Sequence, residues 1–200
     1  FGGLMSLLSV WLLALASNYL AACLLAATIL FYVVIYSMGL KRSTPQNIVI
    51  GGAAGALPPV VGWAAVTGTA PYEAWLLFAI IFMWTPPHFW ALALVKSSDY
   101  EAAGIPMMPN VRGSAHTRLL IWVYSLILIP FAIAPVFFDF ATWIYLVVAA
   151  GGGVAFLQAA WPVCRKGRDK DAWSLFGTSI VFLFALFLAL LIEHWAGLHG

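Results

Sequence analysis

Apolar residues run along this chain in long blocks, near 4–16, 19–37, 48–66, 72–95, 118–137, 141–163 and 173–195, with short polar interruptions between them. Most blocks approach the roughly 20 residues that a helix needs to cross a bilayer's hydrocarbon layer. Strands of a membrane barrel would alternate apolar and polar positions in shorter segments, and these blocks do not alternate. The pattern predicts an all-α membrane protein, a bundle of seven transmembrane helices whose first member is short. With no repeat, linker or low-complexity segment, residues 1–200 are expected to form a single transmembrane domain.

Composition sharpens this reading. Hydrophobic residues make up 64% of the 200 positions and charged residues 8%, against roughly a quarter charged in soluble domains. If the helices alternate across the membrane, one side receives the loops 38–47, 96–117 and 164–172. Together with the Arg118 boundary, these hold Lys41, Arg42, Lys96, Arg112, Arg118, Arg165, Lys166, Arg168 and Lys170, which is every lysine and arginine in the chain. The other side receives Glu73, Asp139 and Glu193. The complete split predicts a cytoplasmic face for the basic loops, in a bacterial inner membrane or facing the matrix in a mitochondrion. A net charge of +2 is too small to point to nucleic acid; the cations suit lipid headgroups or an anionic substrate. Cys23 and Cys164 offer neither a disulfide framework nor metal-ligand spacing. Phe1 opens the chain without initiator methionine or signal-peptide features.

Two blocks contain double prolines. Gly51-Gly52-Ala53-Ala54-Gly55-Ala56 leads to Pro58-Pro59, and Trp84-Thr85 leads to Pro86-Pro87. Proline removes an amide donor and displaces the carbonyl four residues earlier, so carbonyls near Ala54, Gly55, Phe82 and Met83 are expected to lose intrahelical partners. At bilayer depth such groups persist where protein or a polar cavity satisfies them. A packing kink is the plain account; a cavity between the two broken helices is the other.

His88 follows the second break. Ionisable residues within a span are costly and usually functional, while a histidine satisfied by a freed carbonyl is the structural alternative. If the helix runs on, His88 lies roughly 16 Å deeper than Asp99, and Trp84, His88, Val95 and Asp99 share one stripe. The 96–117 loop is long and charged, as functional loops tend to be. Tyr36-Ser37-Met38-Gly39-Leu40-Lys41-Arg42-Ser43-Thr44-Pro45-Gln46-Asn47 ends another block with a tyrosine, two cations and polar side chains. Lys41 and Arg42 are either topological anchors or a grip on a diphosphate. In the second case Asp99, with Glu101, is the natural oxygen donor for Mg²⁺.

Tyr36 through Asn47, Gly51 through Trp63, Val66-Thr67-Gly68, Pro87-His88-Phe89-Trp90-Ala91-Leu92-Ala93-Leu94, Asp99-Tyr100, Ala103-Gly104-Ile105-Pro106-Met107 and Pro109 together resemble the heme O synthases, the protoheme IX farnesyltransferases. These are a branch of the UbiA-type intramembrane prenyltransferases, with a nine-helix fold around a central cavity. The resemblance implies transfer of a farnesyl group from farnesyl diphosphate to a vinyl group of heme b, with addition of water. It implies Mg²⁺ as cofactor, a bilayer setting, and association with heme A synthase or terminal-oxidase assembly. By this likeness Asp99 falls in the second metal-site region, and Lys41 and Arg42 match the basic diphosphate-facing pair. Lys96 and Arg112 become candidates for diphosphate or heme propionates, Tyr36 and Asn47 for substrate contact, and His88 for catalysis against porphyrin or prenyl chain. Lys96 and Ser98 stand where other members of the superfamily carry acids, which leaves Glu101 open as a ligand. The first aspartate-rich motif of the family has no match here. Seven helices instead of nine then predict a fragment lacking the first two, inactive by itself. A transporter with proline-broken helices, or a prenyltransferase for a quinone precursor, are the alternatives; polarity gathered on one face argues against transport.

Overall fold

The computed structural model describes residues 1–198 and is helical throughout, with no strand among the described residues. Ten α-helices follow one another: α1 (Gly2–Ala16), α2 (Tyr19–Leu30), α3 (Asn47–Ala56), α4 (Pro58–Thr67), α5 (Tyr72–Val95), α6 (Ser97–Ala102), α7 (Met108–Arg112), α8 (Ser114–Phe137), α9 (Trp143–Lys166) and α10 (Asp169–Trp195). A π-helical segment, Phe31–Leu40, carries α2 onward. Among the described residues six spans are long and apolar enough to cross a membrane: Tyr19–Leu40, Asn47–Thr67, Tyr72–Val95, Ser114–Phe137, Trp143–Lys166 and Asp169–Trp195. The seventh expected helix, α1, is apolar but has only 15 residues. The chain is a multi-pass integral membrane protein.

Its surface confirms the solvent. Leu7, Val66, Phe137, Phe184 and Trp195 are exposed, while Asn47, Thr117, Ser125, Ser179 and Glu193 are buried. In lipid the outward face is apolar and polar side chains must find partners inside. Buried positions are rich in alanine, including Ala21, Ala56, Ala64, Ala91, Ala132, Ala149 and Ala160, because small residues let helices approach when no hydrophobic force distinguishes protein from lipid.

The chain falls into two compact units, Phe1–Phe82 and Met83–Gly200, with α5 contributing to both. In the first, α2 packs against α1 and α4, and α3 packs against the π-helical segment. Asn18 caps α2 by accepting from Ala21 N at 2.9 Å, and its amide donates to Ala64 O at 2.7 Å, near the end of α4. Side-chain acceptance of an orphan helix amide accounts for asparagine at this position. The two proline pairs act differently. Pro58 ends α3 and opens α4, where a missing N–H costs nothing, and Leu57 N reaches back to Ala54 O at 3.4 Å. Pro86 and Pro87 lie inside a continuous α5.

In the second unit α9 lies between α8 and α10. A Cβ at Gly152 would sit 2.7 Å from the Phe182 ring of α10, and one at Gly153 would sit 3.0 Å from Ile129 Cδ1 of α8. The glycine run therefore sets both close approaches. Tyr145 Oη donates to Ala132 O at 2.8 Å, tying α9 to α8. Glu193, which the sequence assigns to the side opposite the basic loops, is 3% exposed. It accepts from Thr142 N at 2.9 Å, from Tyr145 N at 2.7 Å and from the Thr142 hydroxyl. A carboxylate from α10 thus satisfies the orphan amides that begin α9.

The stretch expected as a loop over 96–117 is ordered into α6, α7 and the first turn of α8. Gly104 N bonds Glu101 O at 2.9 Å, Ile105 N bonds Tyr100 O at 3.0 Å, and the Asn110 amide donates to Ser97 O at 2.9 Å. Met107 and Met108 are buried beneath this turn. Backbone groups that a loop would leave to water are paired locally.

Candidate functional site

In the first unit the π-helical segment brings Tyr36 against α3. A Cβ at Gly51 would overlap the Tyr36 ring, so glycine there makes the seat for the tyrosine. Tyr32 lies 5.3 Å from Tyr36, centroid to centroid. π-Helical geometry, rare and often found at functional sites, closes on Lys41, whose amide donates to Tyr36 O at 2.8 Å.

Asn47 is 1% exposed at the start of α3. Its amide donates to Thr44 O at 2.8 Å and to Lys41 O at 3.4 Å. The side chain therefore folds into its own loop and holds the backbone that carries Lys41 and Arg42. Lys41 is half-buried and Arg42 exposed. Neither makes an ion pair among the described residues, so both cations are available to an anion.

In the second unit Lys96, Asp99, Glu101 and Arg112 lie on or beside α6 and α7. The expected stripe from Trp84 to Asp99 is interrupted. Lys96, at φ −106° and ψ 25°, leaves helical geometry between α5 and α6, so Asp99 sits on a separate helix and its depth relative to His88 is not that of one straight rod. Lys96 Nζ lies 3.3 Å from Asp99 Oδ2, with both side chains substantially solvated. Glu101 and Arg112 are exposed.

No group of three or more His, Cys, Asp or Glu side chains is placed to hold a metal among the described residues. Asp99 and Glu101, two positions apart on a helix, do not face one another. Asp99 fits as a single oxygen ligand; a closed magnesium site does not form from these residues alone.

His88 is the most elaborately held of the expected residues. It is 7% exposed, stacked between the Trp84 ring at 4.1 Å and the Phe176 ring at 4.5 Å, with Phe89 edge-on at 5.1 Å. Its Nδ1 lies 2.6 Å from Ser179 Oγ, which donates to Phe176 O at 2.6 Å. Trp84 Nε1 donates to Ser179 O at 2.7 Å. The plain alternative for His88, satisfaction by a carbonyl freed at the prolines, is replaced by a side-chain partner on α10. Ser179 was not singled out by sequence, since a lone serine in an apolar span carries no signal about its distant partner.

A small cleft of about 60 Å³ lies at the basic end of the second unit, lined by Ser114, Arg118, Gly167, Arg168 and Asp169 among others. Arg168 is occupied there: it grips Asp171 through Nε at 2.8 Å and Nη2 at 2.9 Å. That hydrogen bond holds its guanidinium above the ordinary arginine range.

A protein named protoheme IX farnesyltransferase from Methylorubrum populi is 60% identical over 202 residues, covering 99% of this chain and 64% of the relative. Its namesake in Hyphomonas neptunium is 54% identical over 207 residues, covering 99% and 65%. That in Parvibaculum lavamentivorans is 52% identical over 204 residues, covering 100% and 64%. The chain thus spans slightly under two thirds of the length of these curated relatives. No solved structure matches. The model of the UbiA prenyltransferase family matches residues 1–192, and the chain belongs to that family.

Proposed function

We propose that this chain carries the working surfaces of a heme O synthase, which transfers the farnesyl group of farnesyl diphosphate to a vinyl group of heme b. The observation that carries the reading is 60% identity, across 99% of the chain, to a protein named protoheme IX farnesyltransferase. In the reaction the allylic C–O bond to diphosphate breaks and the vinyl carbon attacks the farnesyl cation. The new cation beside the porphyrin takes up water and releases a proton, giving heme O and diphosphate.

Lys41 and Arg42, which make no ion pair among the described residues and sit on a loop fixed by Asn47, suit the departing diphosphate. Preorganised positive charge aimed where negative charge develops is the largest single catalytic device available to such a site. Lys96 and Arg112 are further anion contacts, for diphosphate or heme propionates, and Tyr36 contributes an aromatic wall beside the loop. Mg²⁺ supplies charge neutralisation of the diphosphate when bound, and Asp99 is the ligand this chain offers; Glu101 is a weaker candidate. His88, dry and ringed by aromatic groups, suits contact with the cationic or porphyrin part of the reaction, where excluded water protects a reactive cation.

Both compact units belong, in this reading, to one prenyltransferase domain, supported by a family match that runs through both. The basic loops face the cytoplasm of a bacterial inner membrane, supported by the charge split and by the bacterial sources of the relatives. An apolar product suits direct hand-over to heme A synthase or an oxidase-assembly partner.

The full-length protein, reconstituted with heme b and farnesyl diphosphate, is expected to yield a porphyrin heavier by one farnesyl group and one hydroxyl group. Unchanged heme b, with prenylation of an added hydroxybenzoate instead, would favour the quinone-precursor branch and overturn this reading.

A further inference from the structure

We infer that Ser179 is a positioning residue that fixes His88 with its proton on Nδ1 and so leaves Nε2 as a bare lone pair, the acceptor for the proton that water releases when it adds to the vinyl-derived cation. The last clause rests on the proposed function; the tautomer itself does not.

The assignment follows from counting protons. A serine hydroxyl has one proton to donate and lone pairs to accept with. Ser179 Oγ is within 2.6 Å of two atoms, Phe176 O and His88 Nδ1. A carbonyl oxygen can only accept, so the hydroxyl proton is directed to Phe176 O. The contact to His88 is then a hydrogen bond only if Nδ1 carries a proton and Ser179 Oγ accepts it. In a neutral imidazole this leaves Nε2 unprotonated, the general rule being that the partner of one ring nitrogen sets the state of the other.

The surroundings keep the ring from escaping the arrangement. Trp84 and Phe176 cover its two faces at interplanar angles of 19° and 22°, and Phe89 meets it edge-on at 86°. The Trp84 indole is itself pinned, through Nε1, to Ser179 O. One residue of α10 therefore fixes both the stacking partner and the protonated nitrogen of the histidine on α5. A structural histidine would need only a partner; this one has a partner whose hydroxyl is already committed, which selects a tautomer.

The consequence for the reaction is a division of labour on one ring. Nδ1 is a fixed donor and Nε2 is a base. As the water oxygen bonds the cationic carbon, one O–H bond breaks and its proton passes to Nε2, leaving an imidazolium whose Nδ1–H is still held by Ser179. Charge on the ring is then met by the hydroxyl oxygen and by the aromatic faces above and below.

The test uses the full-length protein labelled with ¹⁵N-histidine in lipid nanodiscs at alkaline pH, the His88 resonances being those missing from a His88→Gln variant. The expected spectrum of the unaltered protein has a protonated, pyrrole-type Nδ1 and a bare, pyridine-type Nε2. Ser179→Ala should shift the population towards Nε2–H and lower kcat about 10–100-fold, the usual cost of losing the partner that orients a functional histidine. The KM for farnesyl diphosphate should stay unchanged, and Ser179→Thr, which keeps the hydroxyl, should restore both tautomer and rate. An Nε2–H tautomer in the unaltered protein overturns the inference even if the variants fold poorly. So does an unchanged spectrum, or an unchanged kcat, in Ser179→Ala. The expected tautomer in a protein that makes no heme O would uphold the positioning and overturn the functional reading.

Discussion

Asp99 and Lys41 carry the proposed chemistry at positions where little of the fold depends on them. Among the described residues the Asp99 side chain pairs with Lys96 alone, and it is 67% exposed; Asp99→Asn should therefore leave the protein inserted while heme O formation is lost. Pigment unchanged in that variant would remove Asp99 from the metal-ligand role. Lys41→Ala should raise the KM for farnesyl diphosphate by about tenfold, the loss of a charge-assisted contact of about 1.5 kcal/mol, and an unaltered KM would make Lys41 a topological anchor alone. Glu193 is the opposite kind of residue. With three donors on one buried carboxylate, Glu193→Leu should lower stability by about 1–3 kcal/mol, read as a lower Tm in detergent, without a change in KM. Sequence singled out the cations and His88 as the polar minority of an apolar chain. It said nothing of the burial of Glu193, because position near a helix end does not distinguish a solvated acid from one turned inward to cap a neighbour. It missed Ser179 because hydrogen-bond partners 91 positions apart leave no local trace.

At the scale of elements, close approaches decide more than propensity does. Gly167 ends α9 at φ +63°, and a Cβ there would run into the Arg118 guanidinium. Gly167→Ala should cost about 1–2 kcal/mol for the left-handed backbone, plus a steric part. A double variant with Arg118→Ala should recover the steric part alone; full additivity of the two substitutions would show that no such contact exists. The six long spans were legible from run length, since nothing else in this composition produces twenty apolar residues in a row. The ends were less so: α8 begins at Ser114, four residues before the apolar run at 118, because polar residues continue a helix once its ladder is started. The break at Lys96 and the two short helices after it are held by side-chain and turn contacts such as Asn110 to Ser97, which a hydropathy pattern does not register. The double prolines illustrate the same limit. Identical dipeptides end one helix at Pro58 and are absorbed by another at Pro86, and only tertiary context separates the outcomes.

For the whole molecule, inverted polarity is the organising fact. Apolar side chains face outward, and Ser125, Tyr145 and Glu193 inside are bound by helix carbonyls or capped amides. A fold of that kind spends its few polar residues where position matters, which is why the same short list served both the packing and the candidate site. The confinement of every lysine and arginine to one set of loops makes the topology testable: single cysteines at Arg42, Arg112 and Lys170 should all react with an impermeant thiol reagent from the cytoplasmic side, and one at Asp139 from the other. The account's central claim is transfer of a farnesyl group to heme. It is tested most directly by the mass of the heme extracted from membranes of a strain that lacks its own heme O synthase and expresses the full-length protein. Heme O is the predicted pigment; heme b alone, with the protein present in the membrane, would contradict the account.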